Sequence, residues 1–252
     1  MGKIIAIASQ KGGVGKTTTA INLGVSFSIF NKRTLIVDLD PQGSVAETFQ
    51  ISPYDIPAGI LDIFKDKVPL SEAIIDIGLG NYEIVASNIK DEEDEVALYT
   101  YAFNLKMLKN ILKPYKKVYD YILLDCPPNL GTLTMNGLIA ADSVIIPVQC
   151  EFYALKSLGK FLQSIRNISK KHNPKMRIEG ILITLFDKRL KKSREIADEL
   201  KRSFKNLVFD IKIPRNAKVA EAPAYGKPVA LYDINAPGAI AYLELAEKII
   251  SL

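Results

Sequence analysis

A chain of 252 residues with 48% apolar content can bury a full core, and no Pro/Gly/Ser-rich linker, repeat or low-complexity stretch divides it, so residues 1–252 are read as one domain. No apolar run reaches the roughly 18–20 residues of a bilayer span, and Met1-Gly2-Lys3 enters a strand-like segment without a signal-peptide core, which points to a cytoplasmic protein with Cys126 and Cys150 as reduced thiols. The net charge of +5 is unevenly spread: residues 1–126 carry 13 Lys/Arg against 16 Asp/Glu and residues 127–252 carry 20 against 12, which favours a polyanionic partner such as DNA or an anionic membrane surface.

The first predicted strand is Ile4–Ala8, followed by Ser9-Gln10-Lys11-Gly12-Gly13-Val14-Gly15-Lys16-Thr17-Thr18 and a helix over Thr17–Asn31. Three glycines let successive N–H groups curl inward toward phosphate oxygens, and the helix that follows points its positive end at the same place. Lys16 supplies a cation for the β- and γ-phosphates, and the Thr17 hydroxyl is placed to ligate Mg²⁺. Gln10 stands where the strict G-x-x-x-x-G-K-[ST] pattern has its first glycine, and Lys11 adds a lysine at the loop entrance.

The second strand, Thr34–Asp38, runs into Leu39-Asp40-Pro41-Gln42-Gly43. Asp38 and Asp40 alternate along extended chain, so their side chains point to different sides. Further strands are expected at Tyr82–Ala86, Tyr121–Asp125, Ser143–Val148, Ile178–Leu185 and Leu207–Ile211. Helices are expected at Tyr101–Leu112, Leu133–Ala140, Ala154–Lys171, Ser193–Phe204 and Pro237–Ile250. Near-continuous Val/Ile/Leu strands alternating with helices predict an α/β, doubly wound, mostly parallel sheet with helices on both faces, of the P-loop type. An Asp closing an apolar strand, as at Asp125, is the Walker-B arrangement that holds Mg²⁺ directly or through water. Alone, either such acid could cap a helix or sit in a loop; occurring together with the lysine loop they read as a phosphate-transfer site.

KGGVGKTT (11–18), VDLDPQG (37–43) and LLDCPP (123–128) resemble the motifs of the deviant Walker-A ATPases of the ParA/Soj/MinD group. VIIPVQCEFYAL (144–155), IPRN (213–216) and AEAPAYGKP (220–228) look particularly like the chromosomal ParA (Soj) branch, and the resemblance covers essentially the whole chain. It implies ATP and Mg²⁺ as cofactors and a slow ATPase that works as a homodimer sandwiching ATP. Lys11 resembles the signature lysine that reaches the partner subunit's phosphates. The loop residues Gly12, Gly13, Val14, Gly15 and Thr18 complete the nucleotide cradle, and Gly12 lies where the opposing subunit approaches. Lys16 and Thr17 match the phosphate and Mg²⁺ ligands, Asp40 the acid that orients the attacking water, and Asp38 and Asp125 the acids around the magnesium. Pro214 and Asn216 match adenine-contacting positions. Ser44 departs from the Asn found in many relatives.

The cations Lys188, Arg189, Lys191, Lys192 and Arg194 fall within seven positions, an electrostatic footprint for sequence-independent, salt-sensitive DNA binding. Arg189 and Lys218 align with DNA-contacting positions of Soj-like proteins, and Arg215 is a further candidate. The resemblance implies nonspecific double-stranded DNA and a ParB-type activator as partners, with a nucleoid-associated location. A MinD-like membrane-positioning ATPase and a nucleotide-gated regulator of replication initiation are the alternatives. The tail Leu243–Leu252, with two glutamates and one lysine, makes a poor lipid anchor.

Overall fold

The computed structural model describes residues 2–252. Its eight strands are β1 (Lys3–Ile7), β2 (Thr34–Asp38), β3 (Ile74–Asp76), β4 (Tyr82–Val85), β5 (Tyr121–Asp125), β6 (Ser143–Gln149), β7 (Arg177–Phe186) and β8 (Val208–Pro214). They form one sheet in the order β3-β4-β2-β5-β1-β6-β7-β8. Only β3 runs antiparallel, on the edge beside β4. The helices are α1 (Lys16–Ile29), α2 (Ser44–Thr48), α3 (Ile60–Phe64), α4 (Glu92–Tyr101), α5 (Met107–Leu112), α6 (Thr132–Ala140), α7 (Ala154–His172), α8 (Lys191–Phe204), α9 (Ala217–Glu221), α10 (Val229–Tyr232) and α11 (Pro237–Ile250).

The strands read as unbroken apolar runs because both faces of the sheet are covered. Within β1, Ile4 and Ala6 pack into one core with α6 and α7, whereas Ile5 and Ile7 pack into the other with α1 and α11. Each buried isoleucine contributes roughly 1.5–3 kcal/mol. Phe27 of α1 stacks on Tyr121 of β5, ring centroids 3.9 Å apart. Gly24 of α1 has to be glycine: a Cβ there would lie 2.7 Å from the Tyr82 ring.

The doubly wound architecture expected from the alternating pattern is present, with β1 at its centre. The chain leaves β1 toward β2 on one side, and α6 later carries it from β5 over β1 to β6 on the other. Crevices in such sheets open at the carboxyl ends of the strands where the winding reverses, which here are the ends of β1, β5 and β6.

Several local expectations needed correction. Of the helix predicted over Tyr101–Leu112 only the second half forms, as α5 from Met107; residues 102–106 turn, and α4, which the prediction missed, precedes them and ends at Tyr101. Asp91 caps α4 by accepting the Asp94 N–H at 2.9 Å, and Glu92–Glu95 suit the positive end of its dipole. Asn136 of α6 ties down the break, donating to the Ala102 carbonyl at 2.8 Å and accepting the Leu108 N–H at 3.4 Å. The last strand begins at Val208 rather than Leu207 and continues to Pro214. β3, α2 and α3 are additional short elements.

Candidate functional site: a phosphate loop beside paired buried carboxylates

After β1 the chain turns through residues 8–15 into α1. Gly13 (φ 70°) and Gly15 (φ 82°) both take the left-handed backbone that glycine allows. Gly15 is the N-cap of α1 and supplies no side chain to its first turn, which also lacks an acidic residue. The free N–H groups of that turn therefore face the loop uncapped, an anion site by construction. Lys16 is buried and its Nζ donates to the Lys11 carbonyl at 3.4 Å, so its charge sits against the loop. A Cβ on Gly12 would meet nothing within 4 Å, and Gly12 has no left-handed φ. Nothing in the fold of one chain requires glycine there.

The carboxylates come from two adjacent strands whose register places Asp38 opposite Asp125. Both are fully buried. Thr17 Oγ1 donates to Asp125 Oδ2 at 2.6 Å, while Asp125 Oδ1 is buried with no partner. Burial lifts the Asp125 carboxyl to about 7; the Thr17 hydrogen bond and Lys16 pull it down and Asp40 pushes it up. Burial, then the neighbouring Asp125, also hold Asp38 well above the usual carboxylate range. An orphaned carboxylate oxygen in a crowded acidic corner fits a divalent cation. No group of three His, Cys, Asp or Glu side chains is gathered among the described residues, so such a cation would draw remaining ligands from phosphate and water, as Mg²⁺ commonly does.

Asp38 has a second task. Its two oxygens accept the N–H groups of Asp40 at 3.0 Å and Val45 at 3.2 Å. The turn so fixed carries Asp40, which is partly exposed and accepts the Gln42 N–H at 3.1 Å. The alternation along β2 thus leaves Asp38 inside and Asp40 at the rim.

Lys11 turns away from its own loop. Its Nζ bonds to Glu151 and reaches Gln149 Oε1 at 3.5 Å, both in the segment after and at the end of β6. Thr18 lines, with Thr17, Asn22, Ser44 and Lys227, an open cavity of about 540 Å³ beside the N-terminus of α1. Pro214 closes β8 and Asn216 precedes α9, and neither lines this cavity. Asn216 Oδ1 is buried and without a partner.

The basic candidates divide. Arg189, Lys192 and Arg215 line one open cavity of about 710 Å³, next to Glu151 and Phe152. There Asp187 holds Arg189 through its Nε at 2.9 Å and Nη2 at 2.7 Å, and Lys192 lies 5.0 Å over the Phe152 ring. Arg194 folds back onto the carbonyls of Lys188 and Arg189, fastening the loop before α8. Lys191 pairs with Glu195 at 3.7 Å. Lys218, on α9, pairs with Glu221 at 3.7 Å and covers Tyr232. Lys188 is exposed and forms no ion pair among the described residues.

Sequence reasoning missed Gln149, Glu151 and Thr184. Gln149 Nε2 donates to the Gly13 carbonyl at 2.7 Å, and Thr184 Oγ1 donates to the Val14 carbonyl at 2.8 Å. The available signal was position: Gln149 closes β6, Glu151 follows it and Thr184 lies near the end of β7, all at the crevice edge of the sheet.

Residues 2–178 match a family model described as an AAA domain. The chain is 42% identical to the sporulation initiation inhibitor protein Soj of Bacillus subtilis, over 99% of this chain and 98% of that protein. It is 41% identical to the chromosome partitioning protein ParA of Myxococcus xanthus, over 99% of this chain and 88% of that one. Among solved structures, cobyrinic acid a,c-diamide synthase from Mycobacterium smegmatis with bound ADP and magnesium superposes with a TM-score of 0.85 at 31% identity, covering 99% of this chain and 94% of the other. The cell division ATPase MinD of Pyrococcus furiosus shares the fold, with a TM-score of 0.85 at 23% identity over 100% of this chain and 99% of that one.

Proposed function

Because this chain belongs to the AAA-domain P-loop ATPase family of the Soj and ParA partitioning proteins, we propose that it is an ATP-dependent DNA-partitioning ATPase whose single functional unit is residues 1–252. The observation that carries this reading is the junction of an uncapped α1 N-terminus with the hydrogen bond from half-buried Thr17 to buried Asp125. ATP lies with its phosphates in the loop 11–18, cradled by backbone N–H groups and by Lys16. Thr17 holds Mg²⁺, with Asp125 and Asp38 acting on it directly or through water. The ion supplies neutralisation of the triphosphate charge.

Hydrolysis is an in-line displacement on the γ-phosphorus by a water that Asp40 orients, the Asp38-braced turn fixing where Asp40 stands. Positive charge near the γ-phosphate comes from Lys16 and from Lys11 of a second copy. In one copy Lys11 is drawn away to Glu151, so turnover before dimerisation is expected to be slow. Gly12, free of any intramolecular need, marks where the second copy comes close. Pro214 and Asn216 serve the adenine end.

The ATP dimer binds nonspecific duplex DNA through Lys188, Arg189, Lys191, Lys192, Arg194, Arg215 and Lys218, and a ParB-type partner discharges it by stimulating hydrolysis. The resulting location is the cytoplasm, on the nucleoid. The membrane alternative loses support from α11: Tyr242, Leu245, Ala246 and Ile249 are buried against the core that includes α1, so its apolar face is already occupied. No helix among the described residues is long and apolar enough to cross a membrane.

The direct test is Mg²⁺-dependent release of phosphate from ATP by the wild-type chain and by Lys16→Ala. Wild-type turnover lost in the variant, together with its ATP binding, is expected; micromolar ATP affinity retained by Lys16→Ala would contradict the site.

A further inference from the structure

The phosphate loop is rich in glycine, and a glycine loop has little stiffness of its own. Something outside it has to hold its peptides in the phosphate-facing orientation before a ligand arrives. In a trans peptide the carbonyl of one residue and the N–H of the next point in opposite directions. Fixing the Gly13 carbonyl outward therefore turns the Val14 N–H inward, and fixing the Val14 carbonyl outward does the same for the Gly15 N–H.

Both carbonyls are fixed. Gln149 Nε2 donates to Gly13 O at 2.7 Å and Thr184 Oγ1 donates to Val14 O at 2.8 Å. The two donors are register partners across β6 and β7. They stand side by side at the carboxyl edge of the sheet. The Gln149 amide is oriented from its other end, where Oε1 faces the Lys11 ammonium at 3.5 Å. That contact demands the oxygen toward Lys11 and leaves the NH₂ for the loop. Thr184 is buried, and its hydroxyl also reaches the Val148 carbonyl at 3.2 Å. The next residue, Leu185, has φ 49°, an uncommon backbone for leucine, at the place where β7 and β8 lose register. β7 thus kinks immediately after Thr184, two residues before its end.

The geometry points to Gln149 and Thr184 as positioning residues of the phosphate loop, which hold the Gly13 and Val14 carbonyls outward so that the Val14 and Gly15 N–H groups are preset for phosphate. This inference rests on the nucleotide reading of the loop. Prepaying the ordering of a loop raises affinity for the ligand that needs it.

Equilibrium binding of ATP and ADP with Mg²⁺ would be measured for the full chain and for Thr184→Val, Thr184→Ser and Gln149→Leu, with unfolding midpoints in the absence of nucleotide. Thr184→Val keeps the shape and removes the donor; Thr184→Ser keeps the donor. Loss of either donor is expected to weaken both nucleotides about tenfold, and Thr184→Ser to recover most of the Thr184→Val loss. Gln149 lies at the rim, so Gln149→Leu is expected to unfold with the wild-type midpoint and carries the test if Thr184→Val folds poorly. Nucleotide affinities of both donor-less variants within about threefold of wild type, or Thr184→Ser as weak as Thr184→Val, would overturn the inference alone. A wild-type chain that binds neither nucleotide would overturn it together with the nucleotide reading.

Discussion

Thr17 Oγ1 donates to Asp125 Oδ2 at 2.6 Å, and this bond joins the first turn of α1 to the end of β5 across the crevice. It leaves Asp125 Oδ1 buried and unpartnered. The carboxyl therefore titrates from a buried, half-satisfied position, and the consequence is measurable in the protein without nucleotide or metal.

Burial raises Asp125 from an ordinary 3.8 to about 7 in the folded chain. Over that window the folded state holds a proton that the unfolded state has released. The contribution to stability is full below about pH 4 and is lost as pH rises through 7, at up to about 1.4 kcal/mol per pH unit. Asp38 is raised by the same crowding and acts in the same direction. Urea unfolding in EDTA at pH 5, 6 and 7 should show wild type losing stability, with a flatter dependence in Asp125→Asn. Parallel curves for the two proteins would exclude a raised Asp125. Asp125→Asn should also weaken Mg²⁺-dependent ATP binding.

Gly12→Val separates folding from assembly. The open space around Gly12 predicts an unfolding free energy within about 0.5 kcal/mol of wild type, as for surface changes generally. ATP binding should persist, while light scattering should show no ATP-dependent dimer. An ATP-dependent dimer in this variant would place the interface elsewhere.

Asp40→Ala should bind ATP normally and accumulate as an ATP dimer, because the residue stands at the rim on a turn braced by Asp38 and not in the phosphate loop. Phosphate release in single-turnover experiments should fall at least about a hundredfold, as for loss of a positioned acid or base. Turnover close to wild type would remove Asp40 from the water-orienting role.

The strands that build the crevice were legible because the interiors of β1, β2 and β5 are buried on both faces and so are apolar, and because an aspartate closes β2 and β5 while the lysine–threonine loop follows β1. The division between α4 and α5 was not legible: the apolar spacing of Tyr101–Leu112 suits one helix, and the turn is set by Asn136, an interior side chain far along the chain. The motif around Asp38 marks an acid near a metal, yet its hydrogen bonds to Asp40 and Val45 depend on the fold of a turn that no local pattern announces. Gln149 and Thr184 carry no charge, and although Gln149 lies in the 144–155 stretch, nothing there signals a hydrogen bond to the loop. Their role emerges only when β6 and β7 stand beside the loop. The same holds for Lys11, whose partner Glu151 is 140 residues away in sequence.

The central claim is that ATP, and not ADP, prepares a DNA-binding dimer. Co-sedimentation of the full chain with random-sequence duplex DNA in ATP, ADP or no nucleotide, at two salt concentrations, tests it most directly. The expected result is retention in ATP alone, weakening steeply with salt and abolished when Lys188, Arg189, Lys192 and Arg215 are replaced by Glu with ATP hydrolysis intact. Equal retention in all three nucleotide states, or undiminished retention by the four-residue variant, would contradict it.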